Sequence, residues 1–520
     1  MPLQCPECGH DRLYPKGHGR GKRRYKCAPC GWHGCDPVGQ DDTGIDKDAT
    51  ARRYNGLRAL LGKGVRRYVI TGAQNATDVH PAFFASLKTY CKATGAELIV
   101  VPYRYTNPTS IWSQQAQGHD WWTPDVAPYL LDRRIELNKN LVLLADIMCQ
   151  PTATRPLQGF ETITGGKSAI LAHPKLELVT IPTPQHKLPK ILTTTGSCTQ
   201  RNYIPSKAGK KADFHHTFGA CVIECDGDVF HMRQINAARD GTFMDLLGHY
   251  TPTGRKAIER VEALVMGDSH LEFIDPNVVK ATFTGKSSMV GMLRPRYLVW
   301  NDVYDAYARN HHHEGRVFIN YVKHHARKGN IERDLDMVFA FVDKHTPPDA
   351  QSVFVPSNHP DALAKWVERT DPRSDPENCV FWARTFEAMC LGSRMTETGA
   401  RSIDPFTYWA RRKLKNADRC IFLSRDESFR IKGIEVGYHG DQGANGARGS
   451  ISAFGKIGTK TIIGHSHSPG IRDGVYQVGL SARYGLEYAH GPSSWLHCHA
   501  VVYPNGKRAL LNIIGTAWRA

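Results

Sequence analysis

Short runs of apolar residues recur along the chain, and polar residues follow each run within a few positions. Residues 68–70 (Tyr-Val-Ile) precede a helix-like stretch that reaches about Lys92, and residues 97–101 form the next apolar run. This alternation predicts a βαβ unit. A further run, LVLLAD at 141–146, continues the pattern. The first half of the chain is therefore predicted to be an α/β region.

The second half contains two apolar runs that end in similar polar motifs. Residues 263–266 lead into GDSH at 267–270, and residues 461–463 lead into GHSH at 464–467. Open α/β sheets carry their sites at the carboxyl ends of the strands. Two ligands separated by one residue can face the same cavity if the chain turns there. These two motifs are therefore the first candidates for a functional site.

Further metal-binding side chains stand between the two motifs. The whole set, in chain order, is Asp268, His270, Asp302, Asn358, His359, His439, His465 and His467. Oxygen ligands from Asp and Asn combined with His nitrogen suit Mn, Fe or Zn better than Mg. Two such ions about 4 Å apart can share a carboxylate and neutralise both the attacking and the leaving oxygen of a phosphate ester. The order and the ligand types predict a two-metal phosphoesterase.

This motif order resembles that of the calcineurin-like metallophosphoesterases, whose motifs are D-x-H, G-D, G-N-H-D/E, H and G-H-x-H. The resemblance covers residues 256–520 and implies a β-sandwich flanked by helices. It implies that one metal is held by Asp268, His270, Asp302 and His467. It implies that the other is held by Asp302, Asn358, His439 and His465, so that Asp302 bridges the two. His359 would act on the scissile phosphate or the leaving oxygen. Mn is the expected metal, with Fe, Zn and Mg as alternatives.

The chain departs from the family pattern at several points. Asn301 and Ser357 stand where the family has glycine, and Asn would tolerate a positive φ better than Ser if one is needed there. The Arg-Gly that follows the Asp302 motif in protein serine/threonine phosphatases is absent, which favours the nuclease-like branch. His439 is the weakest assignment. Other histidines that could replace it are His311, His312, His313, His324, His325, His497 and His499.

The amino terminus carries a second metal motif. Two CxxC pairs, Cys5 with Cys8 and Cys27 with Cys30, are separated by 18 residues, which predicts a structural zinc site. The loop between them is basic and resembles the zinc ribbons of some transposases and phage DNA-binding proteins. The residues expected to contact nucleic acid are Arg20, Lys22, Arg23 and Arg24. Such contacts give affinity with little sequence preference. A purely structural zinc module with a solvated loop is the alternative.

Charge and composition narrow the partner and the compartment. The 520 residues carry a formal net charge of +17, which favours an acidic polymer such as DNA as the partner. Neither a signal peptide nor a run long enough to span a bilayer is apparent, so no membrane association is expected. Thiolate zinc ligands fit a reducing compartment. A cytoplasmic protein is the resulting prediction.

The chain divides into four predicted parts. Residues 1–35 form the zinc ribbon, 36–64 a polar linker, 65–255 an α/β domain of unclear role, and 256–520 the phosphoesterase domain with a helical insertion at about 365–430. The fold class is therefore α/β. In the middle domain, TTTGSCT at 193–199 is either a phosphate-contacting loop or a scaffold loop, and the second interpretation is favoured. Neither a P-loop nor a GxGxxG motif supports nucleotide binding.

Phrases in the middle domain, such as ITGAQNATDVHPAFF and TTTGSCTQRNY, together with the GDSH domain, are similar to a family of tailed-phage pre-early proteins. Its members are associated with host DNA degradation and with DNA transfer during infection. The resemblance covers residues 65–520 and implies a metal-dependent DNase in the host cytoplasm, with a homo-oligomer as a further expectation.

The leading hypothesis is thus a two-metal DNA nuclease. One alternative is a small-substrate phosphatase or cyclic phosphodiesterase with the same metals, which would hydrolyse small aryl phosphates but not DNA. The other is a DNA-binding regulator or scaffold with a vestigial site, which would bind no metal at Asp268 and His467. The sequence decides neither endo- against exonuclease action nor strand preference.

Overall fold

The computed structural model describes residues 4–5, 7–19, 22–34, 45–61, 64, 66–105, 121–184, 187–487 and 489–519, and of residues 17–19, 22–24, 34 and 311 it describes the backbone alone. Within these ranges the protein is a mixed α/β structure. No helix in the described part of the chain is both long enough and apolar enough to cross a membrane.

The strands of the first half have these bounds: β1 Leu13–Gly19, β2 Lys22–Cys27, β3 His33–Gly34, β4 Arg66–Gln74, β5 Glu97–Tyr103, β6 Ile135–Asn138, β7 Leu141–Leu143, β8 Ser168–Leu171, β9 Leu178–Ile181, β10 Lys190–Thr194, β11 Gly219–Asp226, β12 Val229–Asn236, β13 Phe243–Asp245, β14 Gly248–Thr251 and β15 Gly254–Ala257.

The strands of the second half have these bounds: β16 Ala263–Val265, β17 Tyr297–Trp300, β18 Gln351–Phe354, β19 Arg394–Thr396, β20 Gly399–Arg401, β21 Cys420–Phe422, β22 Arg430–Ile431, β23 Ile434–Glu435, β24 Thr461–Ile463, β25 Gly470–Arg472, β26 Val475–Gln477, β27 Cys498–Val502 and β28 Arg508–Asn512.

The α-helices have these bounds: α1 Lys47–Leu60, α2 Pro81–Thr94, α3 Lys207–His215, α4 Pro276–Phe283, α5 Met289–Leu293, α6 Val317–His325, α7 Ile331–His345, α8 Asp361–Arg369, α9 Cys379–Gly392, α10 Pro405–Lys413 and α11 Ile451–Phe454.

Two large sheets form the body of the protein. A six-stranded sheet has the order β21-β18-β17-β16-β27-β28, and a ten-stranded sheet has the order β22-β23-β24-β26-β25-β9-β10-β8-β7-β6. One buried cluster contains Val265 and Val299 of the first sheet together with Ile462 and Ile170 of the second. Because both sheets contribute apolar side chains to this cluster, their strand ends are held in a fixed relation.

The ten-stranded sheet crosses the domain boundary that the sequence predicted at residue 255. Strand β9 pairs with β25 through Leu178 and Ile471, so strands from the first half continue a sheet of the second half. Strands from residues 65–255 and from residues 256–520 therefore contribute to the same sheet. Single strands with polar flanks carry no information about distant partners, which is why the sequence placed a boundary here.

The predicted βαβ unit is confirmed. Strands β4 and β5 are parallel, with Tyr68 opposite Glu97, and α2 connects them in sequence. Together with β11 and β12 they form a four-stranded sheet. Helix α2 begins at Pro81, with the His80 side chain accepting the N–H of Phe83, and ends at Thr94, where Gly95 in the left-handed conformation caps it.

The second half of the predicted linker, residues 36–64, contains helix α1. The carboxylate of Asp46 accepts the N–H groups of Asp48 and Ala49 at 2.9 Å each and so caps the helix. Leu57 is buried, and Tyr54 packs against the same core. The sequence analysis did not predict this helix, because the stretch is polar overall and its apolar face is short.

The loop at 193–199, for which the sequence favoured a scaffold role, is buried. The hydroxyl of Ser197 contacts the Tyr103 hydroxyl at 2.8 Å and donates to the Gly72 carbonyl at 3.2 Å. A Cβ at Gly196 would lie 2.8 Å from the Gly219 Cα, so the two backbones approach closely here. In the predicted helical insertion, α8, α9 and α10 pack against one another.

Candidate metal centre

The candidate ligands follow three neighbouring parallel strands. Strand β16 precedes Asp268 and His270, β17 precedes Asp302, and β18 precedes Asn358 and His359. The strands pair in register, with Val265 opposite Val299 and Trp300 opposite Phe354. Their carboxyl ends therefore meet at one edge of the six-stranded sheet.

Several candidate ligands lie in strained turns. His270, Asp302, His465 and His467 have φ values of 38°, 41°, 72° and 60°. A positive φ is uncommon for residues other than glycine and costs energy, and such residues cluster at functional sites. Asn301, which stands at a glycine position of the resembling family, lacks a positive φ. The strain lies on the next residue, Asp302, instead.

Four side chains form the first cluster. The ligand atoms of Asp268, His270, Asp302 and His467 all lie within 4.8 Å of one another. His467 Nε2 lies 3.2 Å from Asp268 Oδ2 and 3.2 Å from His270 Nε2. Adjacent ligands of an octahedral ion lie about 3 Å apart when each metal–ligand distance is about 2.1 Å. The spacing therefore suits a single cation.

The second cluster shares Asp302 with the first. Asp302, His439 and His465 place ligand atoms within 4.8 Å of one another. His439 Nε2 lies 3.0 Å from Asp302 Oδ2. His439 thus lies beside Asp302 in the second cluster.

Unpartnered buried atoms test whether these residues fit metal ions. Among the described residues, both carboxylate oxygens of Asp268, Oδ1 of Asp302, Oδ1 of Asn358 and Nδ1 of His467 are buried without a hydrogen bond. Close contacts such as His467 Nε2 to Asp268 Oδ2 exist, but they lack hydrogen-bond geometry. A buried carboxylate without hydrogen bonds is strongly disfavoured unless a cation balances it. The donor set therefore fits divalent metals.

Gly464 lets the GHSH turn approach the GDSH turn. A Cβ at Gly464 would lie 2.2 Å from Asp268 Oδ1 and 3.3 Å from Asn301 Cγ. Only glycine leaves room for the carboxylate at this point. The Asn301 amide in turn donates to the Met266 carbonyl at 3.1 Å, which fixes the backbone before Asp268.

His359 lies beside an aspartate that the sequence analysis missed. His359 Nδ1 donates to the Asp305 carbonyl oxygen at 3.0 Å and lies 3.3 Å from Asp305 Oδ1. The same carboxylate accepts His270 Nδ1–H at 2.7 Å. Asp305 therefore orients one ligand and the neighbouring His359 together. Its position three residues after Asp302, in NDVYD, was the available signal.

The charges of the site shift the pKa of its members. Burial raises the pKa of Asp302, but the neighbouring His439 and His359 outweigh burial and hold that pKa well below its usual range. Burial lowers the pKa of His439 and His359, yet Asp302 raises them to about 9 and about 10, with help from Asp268 and Asp305 respectively. Protons on these histidines thus balance Asp302, a role that divalent cations can take over with release of protons.

A cavity of about 970 Å³ opens over the clusters. Its walls include Asp302, Asn358, His359, His465 and His467. Asn358 thus faces the same cavity as the second cluster. Other residues that line the cavity are Arg316, Arg448, Trp495, Gln477, His312 and His313.

The remaining candidate histidines have other positions. His499 is buried, where Nδ1 accepts the Gly267 N–H at 2.9 Å and supports the GDSH turn. His497 is also buried and stacks on Tyr484. His324 and His325 are exposed. Of His311 the structure describes only the backbone.

The four amino-terminal cysteines form a separate cluster. Cys5 Sγ lies 3.5 Å from Cys30 Sγ, and Cys8 Sγ lies 3.5 Å from Cys27 Sγ. All four sulfur atoms lie within 4.8 Å of one another, as a structural zinc site requires. Each CxxC turn closes with a glycine of positive φ, whose N–H donates to the first cysteine carbonyl; the pairs are Gly9 with Cys5 and Gly31 with Cys27.

The basic loop of this module is only partly described. Arg20 lies outside the described residues, and for Lys22, Arg23 and Arg24 the structure describes the backbone of strand β2 and not the side chains. The three strands β1, β2 and β3 form the sheet that carries this loop. Nucleic-acid contact by these residues stays a prediction.

Comparison with known proteins places the chain in a phage family. No family model matches the chain, and no solved structure matches it. The chain is 33% identical over 463 residues to protein A1 of Escherichia phage T5, an alignment that covers 86% of this chain and 82% of the phage T5 protein. At that identity and coverage, the chain belongs to the family of phage T5 protein A1.

Proposed function

We propose that this protein is a two-metal phosphodiesterase that hydrolyses DNA. The observation that carries the proposal is Asp302, a buried carboxylate common to two clusters of metal-binding side chains at the floor of a large cavity. Enzymes that cleave phosphate esters use such a shared carboxylate to hold two ions a few ångströms apart.

Each residue has a distinct expected role. Asp268, His270 and His467 would hold one ion, and Asn358, His439 and His465 the other, with Asp302 shared. When bound, two divalent ions, with Mn as the first choice, supply an activated water and neutralise the charge that develops on the phosphate. Mn is the first choice because the site combines oxygen and nitrogen donors.

His359 is proposed as the proton donor to the leaving oxygen. Its Nδ1 donates to Asp305, which leaves Nε2 as the nitrogen that can face a substrate. Asp302 and Asp305 raise the pKa of His359 against the effect of burial. Asp305 is not a proposed metal ligand, so its contacts with Nδ1 would still favour the protonated imidazole when the ions are bound. General-acid assistance of this kind contributes about 10²–10⁴-fold to a rate.

DNA is the proposed substrate on grounds of charge and of family. The chain carries a net charge of +17, and Arg316 and Arg448 face the cavity. Membership in a phage protein family is compatible with action on DNA in an infected cell. The four-cysteine module, with its basic loop, would hold the polymer near the site and raise its local concentration.

The decisive experiment compares cleavage of supercoiled and linear DNA by the wild type, Asp302→Ala and His359→Ala, with Mn, Mg or a chelator. We expect metal-dependent cleavage that Asp302→Ala abolishes together with metal binding. His359→Ala should keep its metal and lose rate. Asp228→Ala, at an exposed aspartate paired with Lys139, is the matched control.

Two outcomes would contradict the proposal. Equal loss of metal from Asp302→Ala and His359→Ala would contradict the separate roles. Absence of cleavage by the wild type in every metal, with hydrolysis of small aryl phosphates, would assign the site to a small phosphoester.

A further inference from the structure

Helix α6, Val317–His325, has an inverted distribution of buried and exposed residues. Its one buried residue is Lys323. Val317, Phe318, Tyr321 and Val322 are 72%, 87%, 63% and 61% exposed. A surface helix normally buries its apolar stripe and exposes its charged residues. The outward, apolar face of α6 is therefore suited to bind a partner molecule.

The helix is held to the protein by polar contacts of that lysine. Lys323 Nζ donates to the Tyr307 carbonyl at 2.6 Å, contacts His313 Nδ1, and lies 4.2 Å from the centre of the Tyr307 ring. Asn320 Nδ2 also donates to the His313 carbonyl at 3.0 Å. These bonds orient the helix with Phe318 and Tyr321 directed away from the core.

The charge of the segment indicates the chemistry of its partner. Residues 312–328 contain four cationic side chains and one acidic side chain, Glu314. Arg316, Arg327 and Lys328 are exposed. Exposed aromatic rings beside cationic side chains are the combination that binds unpaired nucleic acid, because bases stack on the rings while the cations contact the phosphates.

The segment is continuous with the proposed active site. Asn310, His312, His313 and Arg316 immediately precede α6 and line the same cavity as His359 and Asp302. Because Phe318 and Tyr321 follow Arg316 within two turns of the helix, a strand bound in the cavity could extend past Arg316 to these rings. Stacking on these rings needs free base faces, which a duplex keeps inside its own stack.

We infer that residues 310–328 form a track for an unpaired nucleic-acid strand that leads into the cavity. The inference rests on the proposed function for the reaction at the end of the track, and it specifies a substrate with an unpaired segment. Phe318 and Tyr321 stack bases, and Arg316, Arg327 and Lys328 contact phosphates.

Binding measured without metal tests the track separately from catalysis. The probe is a fluorescently labelled single-stranded oligonucleotide, followed by anisotropy in the presence of a chelator. The double variant Phe318→Ala/Tyr321→Ala should bind it at least about 30-fold more weakly, the smallest loss expected for two stacked bases at about 1 kcal/mol each. A duplex of the same length should lose much less. Leu391→Ala, at an apolar residue that is 82% exposed on α9, is the control.

A second variant tests the phosphate contacts. Arg327→Gln/Lys328→Gln should reduce the slope of log affinity against log salt by about 1.4, because each contact to a single strand contributes about 0.7. Thermal unfolding should be unchanged in both double variants, since their side chains are exposed. An unchanged slope and an unchanged affinity would refute the track.

Other outcomes assign the face to a different partner and also overturn the inference. In one such outcome the variants differ from the wild type in molar mass by light scattering, and in the other they no longer bind anionic lipid vesicles. In both, their affinity for the oligonucleotide equals that of the wild type. Hydrolysis of bis-aryl phosphate should be the same in wild type and variants. If the wild type hydrolyses no ester, the proposed function fails while the anisotropy result still decides the track.

Discussion

Replacement of Gly464 by alanine is expected to disable the metal centre while the fold survives. The added Cβ would lie 2.2 Å from Asp268 Oδ1, whereas such contacts are essentially never under 3.0 Å. The carboxylate or the turn must therefore move by at least 0.8 Å, the difference between 3.0 and 2.2 Å. Gly464 does not have a positive φ, so the substitution acts through contact and not through backbone strain.

The size of this shift sets the expected effect. Metal–ligand distances tolerate about 0.2 Å of change, so the displaced Asp268 would no longer bind its ion. We expect Mn affinity to fall about 10–100-fold and DNA cleavage to fall about 100-fold, as a misplacement near 1 Å costs. Crowding in the buried site should lower the free energy of unfolding by about 1–3 kcal/mol.

Metal content by mass spectrometry, Mn titration calorimetry and plasmid cleavage measure the outcome. Gly166→Ala is the matched control, because a Cβ there meets nothing within 4 Å and φ is not positive. If Gly464→Ala binds Mn and cleaves DNA as the wild type does, Asp268 is not a ligand in the position that the structure describes.

Three further predictions concern proton balance and zinc. The pKa of His216 is lowered from 6.5 to about 3, chiefly by burial, so its contribution to the free energy of unfolding is complete above pH 6.5 and falls as the pH drops, by about 1.4 kcal/mol per pH unit. His216→Gln should therefore reduce the dependence of the unfolding free energy on pH between pH 7 and 5, as measured by urea unfolding. An unchanged pH dependence would count against this role. Asp305→Asn should keep the metals but slow DNA cleavage. It should also move the alkaline limb of the pH–rate profile to lower pH, because Asp305 helps to raise the pKa of His359. An alkaline limb at the wild-type pH would show that Asp305 does not have this role. Cys8→Ser should lose one equivalent of zinc in a chelator-dye assay, whereas Cys390→Ser, at an exposed free cysteine, should lose none; equal zinc in both would refute the four-cysteine site.

The sequence alone determined the candidate ligands. Residues such as Asp268 and His467 follow short apolar runs directly, and strand ends with turn residues are local features that a pattern can show. The same holds for the CxxC pairs, since their spacing decides whether four thiolates can meet. The βαβ unit was predictable because its two strands and its helix are consecutive.

Only the tertiary structure decided which of these residues meet and what surrounds them. Asp305 contacts His270 and His359, which are 35 and 54 residues away; its place in NDVYD marks it as a candidate but does not identify these partners. The pairing of Leu178 with Ile471 joins strands from both halves into one sheet. In helix α6 the buried residue is a lysine, whereas most of the apolar residues are exposed. Long-range packing determines which face of an element is covered, and the chain order of residues does not contain that information.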